Sequence, residues 1–251
     1  MMPRLVAHRG DMARFPENSL SGILAALKAG ACFVEFDVQM NRNGRFLVVH
    51  DDNLRRVSGV IISVLDADMD RLRAVPIGQP DRFGSAWRHE RLVELPRVLE
   101  RFQAWPKATA VIEIKQESLD RWGLAPVMDN LLAEIVPWLG QCWLISFNAE
   151  ALEYARRYVE IPVGWVLTRF DAESLQAARR LSPEVLICNY RKLPPGEPPP
   201  AGPWEWMLYD ILEPRAALDW GALGVALIET GDISRMLKDE RLAGQSCKDN
   251  P

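Results

Sequence analysis

The stretch RLVAHRGDMARFPENSLSGILAALKAGACFVEFDV, residues 4–38, decides how the chain is expected to fold. It holds a short apolar run, a helical pattern over 18–29 and a second apolar run. Asn18 is a candidate N-cap and Gly30 a candidate C-cap of that helix. Its apolar side chains share one face: Leu20, Ile23, Leu24 and Leu27. The order of strand, helix and strand predicts two parallel strands joined by a right-handed crossover.

The same alternation continues along the whole chain. Nine short apolar runs occur, with helical patterns between most of them, at 4–8, 32–38, 45–50, 109–115, 142–147, 163–168, 184–189, 205–209 and 224–229. Eight or nine strands in 251 residues favour a closed (β/α)8 barrel, the TIM-barrel fold. An open, doubly wound sheet is the alternative.

Two segments break the alternation. Residues 51–93 are rich in Arg and Asp and only weakly periodic, which predicts an insertion or small subdomain. The segment RKLPPGEPPPAGP, residues 191–203, holds too many prolines for a regular element and predicts a surface loop. We therefore expect one barrel domain over 1–251 with an insertion at about 51–93.

Composition and charge limit the classes of function. The chain is 48% hydrophobic and 25% charged, which is typical of a globular protein. Its formal net charge of −4 disfavours a nucleic-acid partner. No apolar signal core and no apolar run of membrane-spanning length are present, so neither secretion nor stable membrane insertion is expected.

The four cysteines show no CxxC spacing. Cys32, Cys142 and Cys188 lie in or beside apolar runs, and Cys247 lies near the C-terminus. We interpret them as small buried apolar residues and not as disulfides or zinc ligands. This interpretation predicts a reduced, cytoplasmic setting.

Acidic side chains interrupt two of the apolar runs. Glu35 and Asp37 are two residues apart in VEFDV, and so are Glu113 and Lys115 in VIEIK. Residues two apart in a strand share a face, and in a barrel the C-terminal strand ends meet at one mouth. Three converging carboxylates form an oxygen-rich site suited to Mg²⁺, Ca²⁺ or Mn²⁺. The alternative is a set of salt bridges in which Arg9 and Lys115 neutralise these acids.

Two of the three histidines also lie at ends of apolar runs. His8 ends the first run and His50 the third, so both are expected at the mouth. Two imidazoles beside a carboxylate cluster favour an acid/base pair over isolated structural histidines. His89, in the irregular segment, is expected at the surface. With Arg9 and Lys115 to attract an anion, the set favours phosphoester cleavage.

The motifs HRG, PENSL, VEFDV, VVHDDNLRR, IEIK and ISFN, in this order, resemble the glycerophosphodiester phosphodiesterase family. The resemblance implies that His8 and His50 are the acid/base pair and that Glu35, Asp37 and Glu113 bind the divalent metal. It further implies that Arg9 and Lys115 contact phosphate. Substrate-side roles are implied for Glu17 and Trp206. Asn18, beside Glu17, shapes the first loop or caps the helix, and Trp206 packs on glycerol or lies in the core.

Several positions depart from the family pattern. Val93-Glu94-Leu95 replaces Pro-Thr-Leu, and Trp206-Met207-Leu208-Tyr209 replaces Trp-Thr-Val-Asn. The last strand reads Ile228-Glu229-Thr230-Gly231-Asp232 where Thr-Asp-x-Pro is common, and the insertion lacks an Arg-Thr-Thr run. These positions bear on substrate preference, because late loops and the insertion line the alcohol pocket.

The implied reaction is hydrolysis of a small glycerophosphodiester, such as glycerophosphocholine or glycerophosphoethanolamine, to glycerol 3-phosphate and an alcohol. One alternative is a related barrel phosphodiesterase acting on lipids, of the sphingomyelinase D or phosphoinositide-lyase type. An acidic chain without an extensive exposed apolar loop suits anionic membranes poorly. The other alternative is a non-catalytic phosphodiester-binding barrel, which would be expected to have lost a histidine or a metal ligand.

Overall fold

The computed structural model describes residues 2–247. Nine strands form one sheet, and eight of them are parallel and close into a barrel. The strands are β1 (Arg4–Ala7), β2 (Phe33–Met40), β3 (Phe46–Val48), β4 (Thr109–Ile114), β5 (Cys142–Ser146), β6 (Val163–Val166), β7 (Val185–Asn189), β8 (Glu205–Tyr209) and β9 (Leu227–Thr230).

Closure depends on β1, which pairs in parallel with both β2 and β9. Val6 lies opposite Phe33 on one side and opposite Glu229 on the other. This double pairing confirms the predicted (β/α)8 barrel and excludes the open sheet. The parallel strands all end at one rim, called the mouth below.

Helices surround the barrel and also occur within the insertion. They are α1 (Leu20–Ala29), α2 (Arg55–Ser58), α3 (Met69–Ala74), α4 (Pro80–Phe83), α5 (Leu95–Phe102), α6 (Gln116–Trp122), α7 (Leu124–Ile135), α8 (Ala149–Tyr158), α9 (Ala172–Leu181), α10 (Pro214–Ala222) and α11 (Ile233–Lys238). Short 3₁₀ turns cover Val136–Gln141, Tyr190–Lys192 and Ala243–Gln245. One apolar cluster fills the space between strands and helices, and a second fills the barrel interior.

Helix α1 begins one residue later than its predicted cap implies. Ser19 is the N-cap, and its hydroxyl accepts a hydrogen bond from the backbone N–H of Gly22. Asn18 instead has a left-handed φ of 55° and bonds to Asp37. Gly30 ends the helix at φ 107°, as its position predicts.

The third apolar run is not a parallel barrel strand. β3 pairs antiparallel with β2, and Val48 lies opposite Val38. The prediction that His50 ends a parallel strand is therefore wrong, because the strand before it runs antiparallel to β2. The hairpin turns back towards the mouth, where the backbone N–H of Val49 donates to the carbonyl oxygen of Asp37 at 3.0 Å. His50 thus reaches the mouth by the return arm of a hairpin.

The insertion at 51–93 has its own small core. Leu47 of β3, Val49 directly after it and residues of the insertion pack into a separate apolar cluster. The insertion contributes Leu54, Val57, Ile62, Val64, Ala67, Leu72, Val75, Ile77 and Leu92. This cluster anchors the insertion beside the hairpin that carries His50.

The cysteine interpretation holds for only two of the four residues. Cys142 and Cys188 are free and buried, as predicted. Cys32 and Cys247 instead form a disulfide across a sequence separation of 215 residues. Because disulfides are typical of oxidising compartments, the cytoplasmic location loses the evidence it rested on and stays a prediction. None of the described helices has the length and apolar character needed to cross a membrane.

Candidate active site

A cavity of about 200 Å³ opens at the mouth of the barrel. Apolar side chains form part of its lining, and most of the ionisable groups singled out from the sequence also line it. The lining residues are His8, Arg9, His50, Glu113, Lys115, Ile145, Phe147, Val166, Ile187, Tyr209, Asp210 and Glu229. Glu35 and Asp37 lie just behind this wall, each with 1% of its surface exposed.

The three predicted acidic ligands come together. Asp37 on β2 lies opposite Glu113 on β4 in the parallel register. One carboxylate oxygen from each of Glu35, Asp37 and Glu113 lies within 4.8 Å of the others. Alternation along β2 and its register with β4 therefore place three oxygen donors at one point.

This group fits a divalent cation on two grounds. The donors are hard carboxylate oxygens, and Oε1 of Glu35 is buried without a hydrogen-bond partner among residues 2–247. Burial, together with Asp37, raises the pKa of Glu113 to about 7, and burial raises the pKa of Glu35 well above its ordinary value. A bound cation would offset this mutual repulsion.

The acidic side chains also form salt bridges with Lys115 and Arg9, and these contacts do not exclude a metal ion. Nζ of Lys115 lies 2.7 Å from Glu113 and 3.4 Å from Asp37. Nε of Arg9 lies 3.1 Å from Asp37. Although burial opposes it, these two cations hold the pKa of Asp37 far below its usual range. Both cations line the cavity, so they can also contact an anion bound there.

His8 lies at the end of β1, against the acidic group. Its Nε2 is 3.9 Å from Oε2 of Glu35, and its side chain is 15% exposed. Burial and the neighbouring Arg9 lower the pKa of His8 to about 4. The imidazole is therefore neutral near pH 7 and can accept a proton.

His50 is held by a carboxylate that the sequence analysis did not single out. Its Nδ1 lies 2.7 Å from Oδ1 of Asp51. Despite partial burial, hydrogen bonds from Arg56 and His50 lower the pKa of Asp51, so its carboxylate is an acceptor. The shared proton therefore lies on Nδ1, and Nε2 is the nitrogen that can exchange a proton with a ligand.

A chain of ion pairs connects the insertion to both sides of the site. Nε of Arg56 donates to Asp51 at 2.8 Å, and its other nitrogens donate to Glu17. Glu17 also accepts from Arg9 at 2.8 Å and from Nε2 of Gln79 at 2.9 Å. Glu17 is 5% exposed and lies outside the cavity wall, so it positions Arg9 and does not face the cavity.

The HRG turn requires its glycine. Gly10 has φ 81°, and a Cβ there would lie 2.7 Å from the backbone of Gly22. Arg9 is itself left-handed at φ 52°, and its backbone N–H donates to Glu35 at 2.9 Å. Asn18 completes the turn by donating to Oδ2 of Asp37 at 2.8 Å. Asn18 thus orients one of the predicted metal ligands.

Strand β8 places Tyr209, and not the predicted Trp206, at the cavity. Trp206 is 4% exposed in the layer between strands and helices, and its Nε1 donates to the carbonyl oxygen of Pro200 at 2.8 Å. The structure does not bring Trp206 to the mouth, and its contacts match the core alternative. Tyr209, three residues on, lines the cavity instead. His89 is exposed, as predicted.

Glu229 is another residue at the mouth that the sequence analysis did not identify as part of the site. It lies on β9, is 4% exposed, and has a carboxylate oxygen within 4.8 Å of Glu35 and His8. A charged residue in the apolar run GVALIE could have signalled it, by the same alternation argument that identified Glu35 and Glu113.

Comparisons with known proteins identify similar chains and one matching family. The profile of the glycerophosphoryl diester phosphodiesterase family matches residues 8–196. The YhdW protein of Bacillus subtilis is 32% identical over 181 residues, which are 72% of this chain and 63% of that protein. A glycerophosphodiester phosphodiesterase of Caldanaerobacter subterraneus is 31% identical over 100 residues, which are 40% of each chain. The matches thus span less than two thirds of either relative's length.

Solved structures share the fold at lower identity. An Oleispira antarctica phosphodiesterase in complex with the product sn-glycerol-3-phosphate aligns with TM-score 0.81 and 19% identity, over 94% of this chain and 95% of that one. A glycerophosphodiester phosphodiesterase from Agrobacterium tumefaciens aligns with TM-score 0.73 and 19% identity, over 94% and 99% of the two chains. At this identity the likeness shows the barrel fold. The family match over 8–196 goes further: the chain belongs to the glycerophosphoryl diester phosphodiesterase family.

Proposed function

We propose that this protein is a metal-dependent enzyme that hydrolyses small glycerophosphodiesters to glycerol 3-phosphate and an alcohol. The observation that carries the proposal is the convergence of two histidines, two cations and an acidic cation-binding group on one cavity. All five positions of the histidine and ligand set are present, which disfavours a non-catalytic barrel. The Oleispira antarctica phosphodiesterase of the same fold holds sn-glycerol-3-phosphate, which supports this substrate class.

Glu35, Asp37 and Glu113 would hold the cation. A divalent cation bound there supplies a Lewis acid for phosphate oxygens and offsets charge in the transition state. Arg9 and Lys115 point positive charge into the same cavity and would bind the remaining phosphate charge. Substrate orientation thus depends on groups that are already ion-paired and buried.

We assign the proton transfers to the two histidines. His8 is neutral near pH 7, so it accepts the proton of the attacking hydroxyl, from water or from the substrate's own glycerol. His50 acts as the acid in its imidazolium form: Asp51 holds Nδ1–H, and Nε2–H donates its proton to the leaving alkoxide, which leaves His50 as the neutral Nδ1–H tautomer. If water is the nucleophile, glycerol 3-phosphate forms directly and solvent resets the two protonation states. If the glycerol hydroxyl is the nucleophile, a cyclic phosphate forms first, and water then opens it with His50 as the base and His8 as the acid.

The test is a product assay across a substrate panel. Release of the head-group alcohol would be measured from glycerophosphocholine, glycerophosphoethanolamine and a lysophospholipid, and glycerol 3-phosphate from the two small diesters, with and without EDTA. We expect release from the small diesters, loss in EDTA, and recovery on adding Mg²⁺, Mn²⁺ or Ca²⁺. Full activity after complete metal removal would contradict the metal role. A preference for the lysophospholipid would favour the lipid alternative.

A further inference from the structure

The last barrel strand brings a fourth carboxylate to the cation-binding group. Glu229 on β9 lies level with Val6 on β1, and it lines the mouth cavity. One of its carboxylate oxygens lies within 4.8 Å of a Glu35 oxygen and a His8 ring nitrogen. Glu35 also belongs to the group with Asp37 and Glu113. Glu229 therefore lies beside the proposed cation position, and Glu35 belongs to both groups of side chains.

The nearby cations are already engaged with other acids. Arg9 pairs with Asp37 and Glu17, and Lys115 pairs with Glu113 and Asp37. Among residues 2–247, no ion pair reaches Glu229, and its Oε1 is buried without a hydrogen-bond partner. A buried carboxylate without a partner is costly, so it must be neutralised by a proton or by a bound cation.

We propose that Glu229 is a fourth carboxylate ligand of the cation held by Glu35, Asp37 and Glu113, and that it adapts the site to Ca²⁺. The inference rests on the proposed function, in which a divalent cation occupies that group. Ca²⁺ takes six to eight oxygen ligands in flexible geometry, whereas Mg²⁺ takes six and keeps several waters. An additional protein oxygen at the edge of the group therefore favours Ca²⁺ more than Mg²⁺.

Isothermal titration of Ca²⁺ and Mg²⁺ into the full chain tests this proposal without relying on activity. Glu229→Gln should weaken Ca²⁺ binding by about 10–100-fold and Mg²⁺ binding by less than about threefold. Glu134→Gln is the matched control, because Glu134 is also a largely buried glutamate with an unpartnered oxygen, but it pairs with Arg45 away from the mouth. Its affinities for both cations should equal those of the wild type.

The outcomes separate the alternatives. If Glu229 is neutralised by a proton, Gln is its neutral isostere, and unchanged Ca²⁺ affinity in Glu229→Gln overturns the proposal. An equal loss for both cations overturns the Ca²⁺ preference. Glu229→Ala, which also removes the carboxylate, serves if the Gln variant does not fold, and wild-type affinity in it for both cations also overturns the proposal. Failure of the wild type to bind either cation would instead refute the metal site of the proposed function.

Discussion

Asp51 decides which nitrogen of His50 faces the cavity. It accepts from Nδ1 at 2.7 Å and is itself fixed by Arg56. An Asn at this position carries no charge and can donate to Nδ1, so it would neither fix the Nδ1–H tautomer nor stabilise the imidazolium that donates from Nε2. The position of one carboxylate thus sets the tautomer of a proposed catalytic group.

We predict that Asp51→Asn lowers kcat by about 10²–10⁴-fold, with KM little changed, because substrate contacts through Arg9 and Lys115 remain. Steady-state kinetics on the best small diester would measure it. Asp52→Asn is the control, since Asp52 is exposed and its carboxylate accepts a hydrogen bond from the neighbouring Asn53. Wild-type kcat in Asp51→Asn would show that His50 needs no orienting carboxylate.

The raised pKa values in the acidic group predict a pH-dependent response to metal. The pKa of Glu113 is about 7 in the fold, above its ordinary value of 4.5. Between these values the folded protein holds more protons than the unfolded chain, so stability of the cation-free protein falls as pH rises. A divalent cation bound to this group would favour the deprotonated form and reverse this loss.

We therefore expect added Ca²⁺ to raise Tm more at about pH 8 than at about pH 5.5, because protons compete at the lower pH. Differential scanning calorimetry would measure both shifts, with Glu113→Gln as the comparison. A shift that is equal at both pH values would contradict the carboxylate assignment.

At the scale of elements, two turns position His50 and Arg9, which lie outside the barrel strands. The β2–β3 hairpin returns His50 to the level of Asp37, and the HRG turn folds Arg9 back over Glu35. Gly10 allows the second turn because its φ is 81° and its missing Cβ leaves room for Gly22. The geometry of the mouth therefore depends on backbone conformations outside the regular strands.

Gly10→Ala should destabilise the fold by about 1–3 kcal/mol and lower kcat as well, because the turn carries His8 and Arg9. Gly59→Ala is a matched control: its φ is 77°, but a Cβ there meets nothing within 4 Å. The control should lose about 1 kcal/mol from backbone strain alone, with unchanged kcat. Thermal unfolding and kinetics of both variants would show the difference, and equal behaviour of the two would contradict the close-approach argument.

At the scale of the molecule, alternation of strands and helices was sufficient to predict the barrel and the meeting of Glu35, Asp37 and Glu113. The direction of β3 was not predictable in the same way, because a short apolar run carries no signal of parallel or antiparallel pairing. For Trp206, period-two alternation groups it with Leu208 and groups Met207 with Tyr209, but the sequence does not say which pair faces inward. The Cys32–Cys247 pairing spans 215 residues and has no local signature.

That disulfide links Cys247, at the end of the described residues, to Cys32, which directly precedes β2. It predicts an effect on the stability of the whole molecule. Cys247→Ser should lower unfolding free energy by about 2–5 kcal/mol, because the crosslink restricts the unfolded chain. A reductant should lower the Tm of the wild type and leave the variant unchanged. A wild-type Tm that is insensitive to reductant, or four reactive thiols in the unreduced unfolded chain, would contradict the pairing.

The central claim is that His8 accepts a proton from the nucleophile and His50 donates one to the leaving alkoxide of the same phosphodiester. The kcat for glycerol 3-phosphate release tests this claim most directly. His8→Ala and His50→Ala should each lower kcat by about 10²–10⁴-fold, and the double variant should lose less than the product of the two. His89→Ala, at an exposed position, should equal the wild type. Near-normal kcat in His50→Ala on the best substrate would contradict the claim.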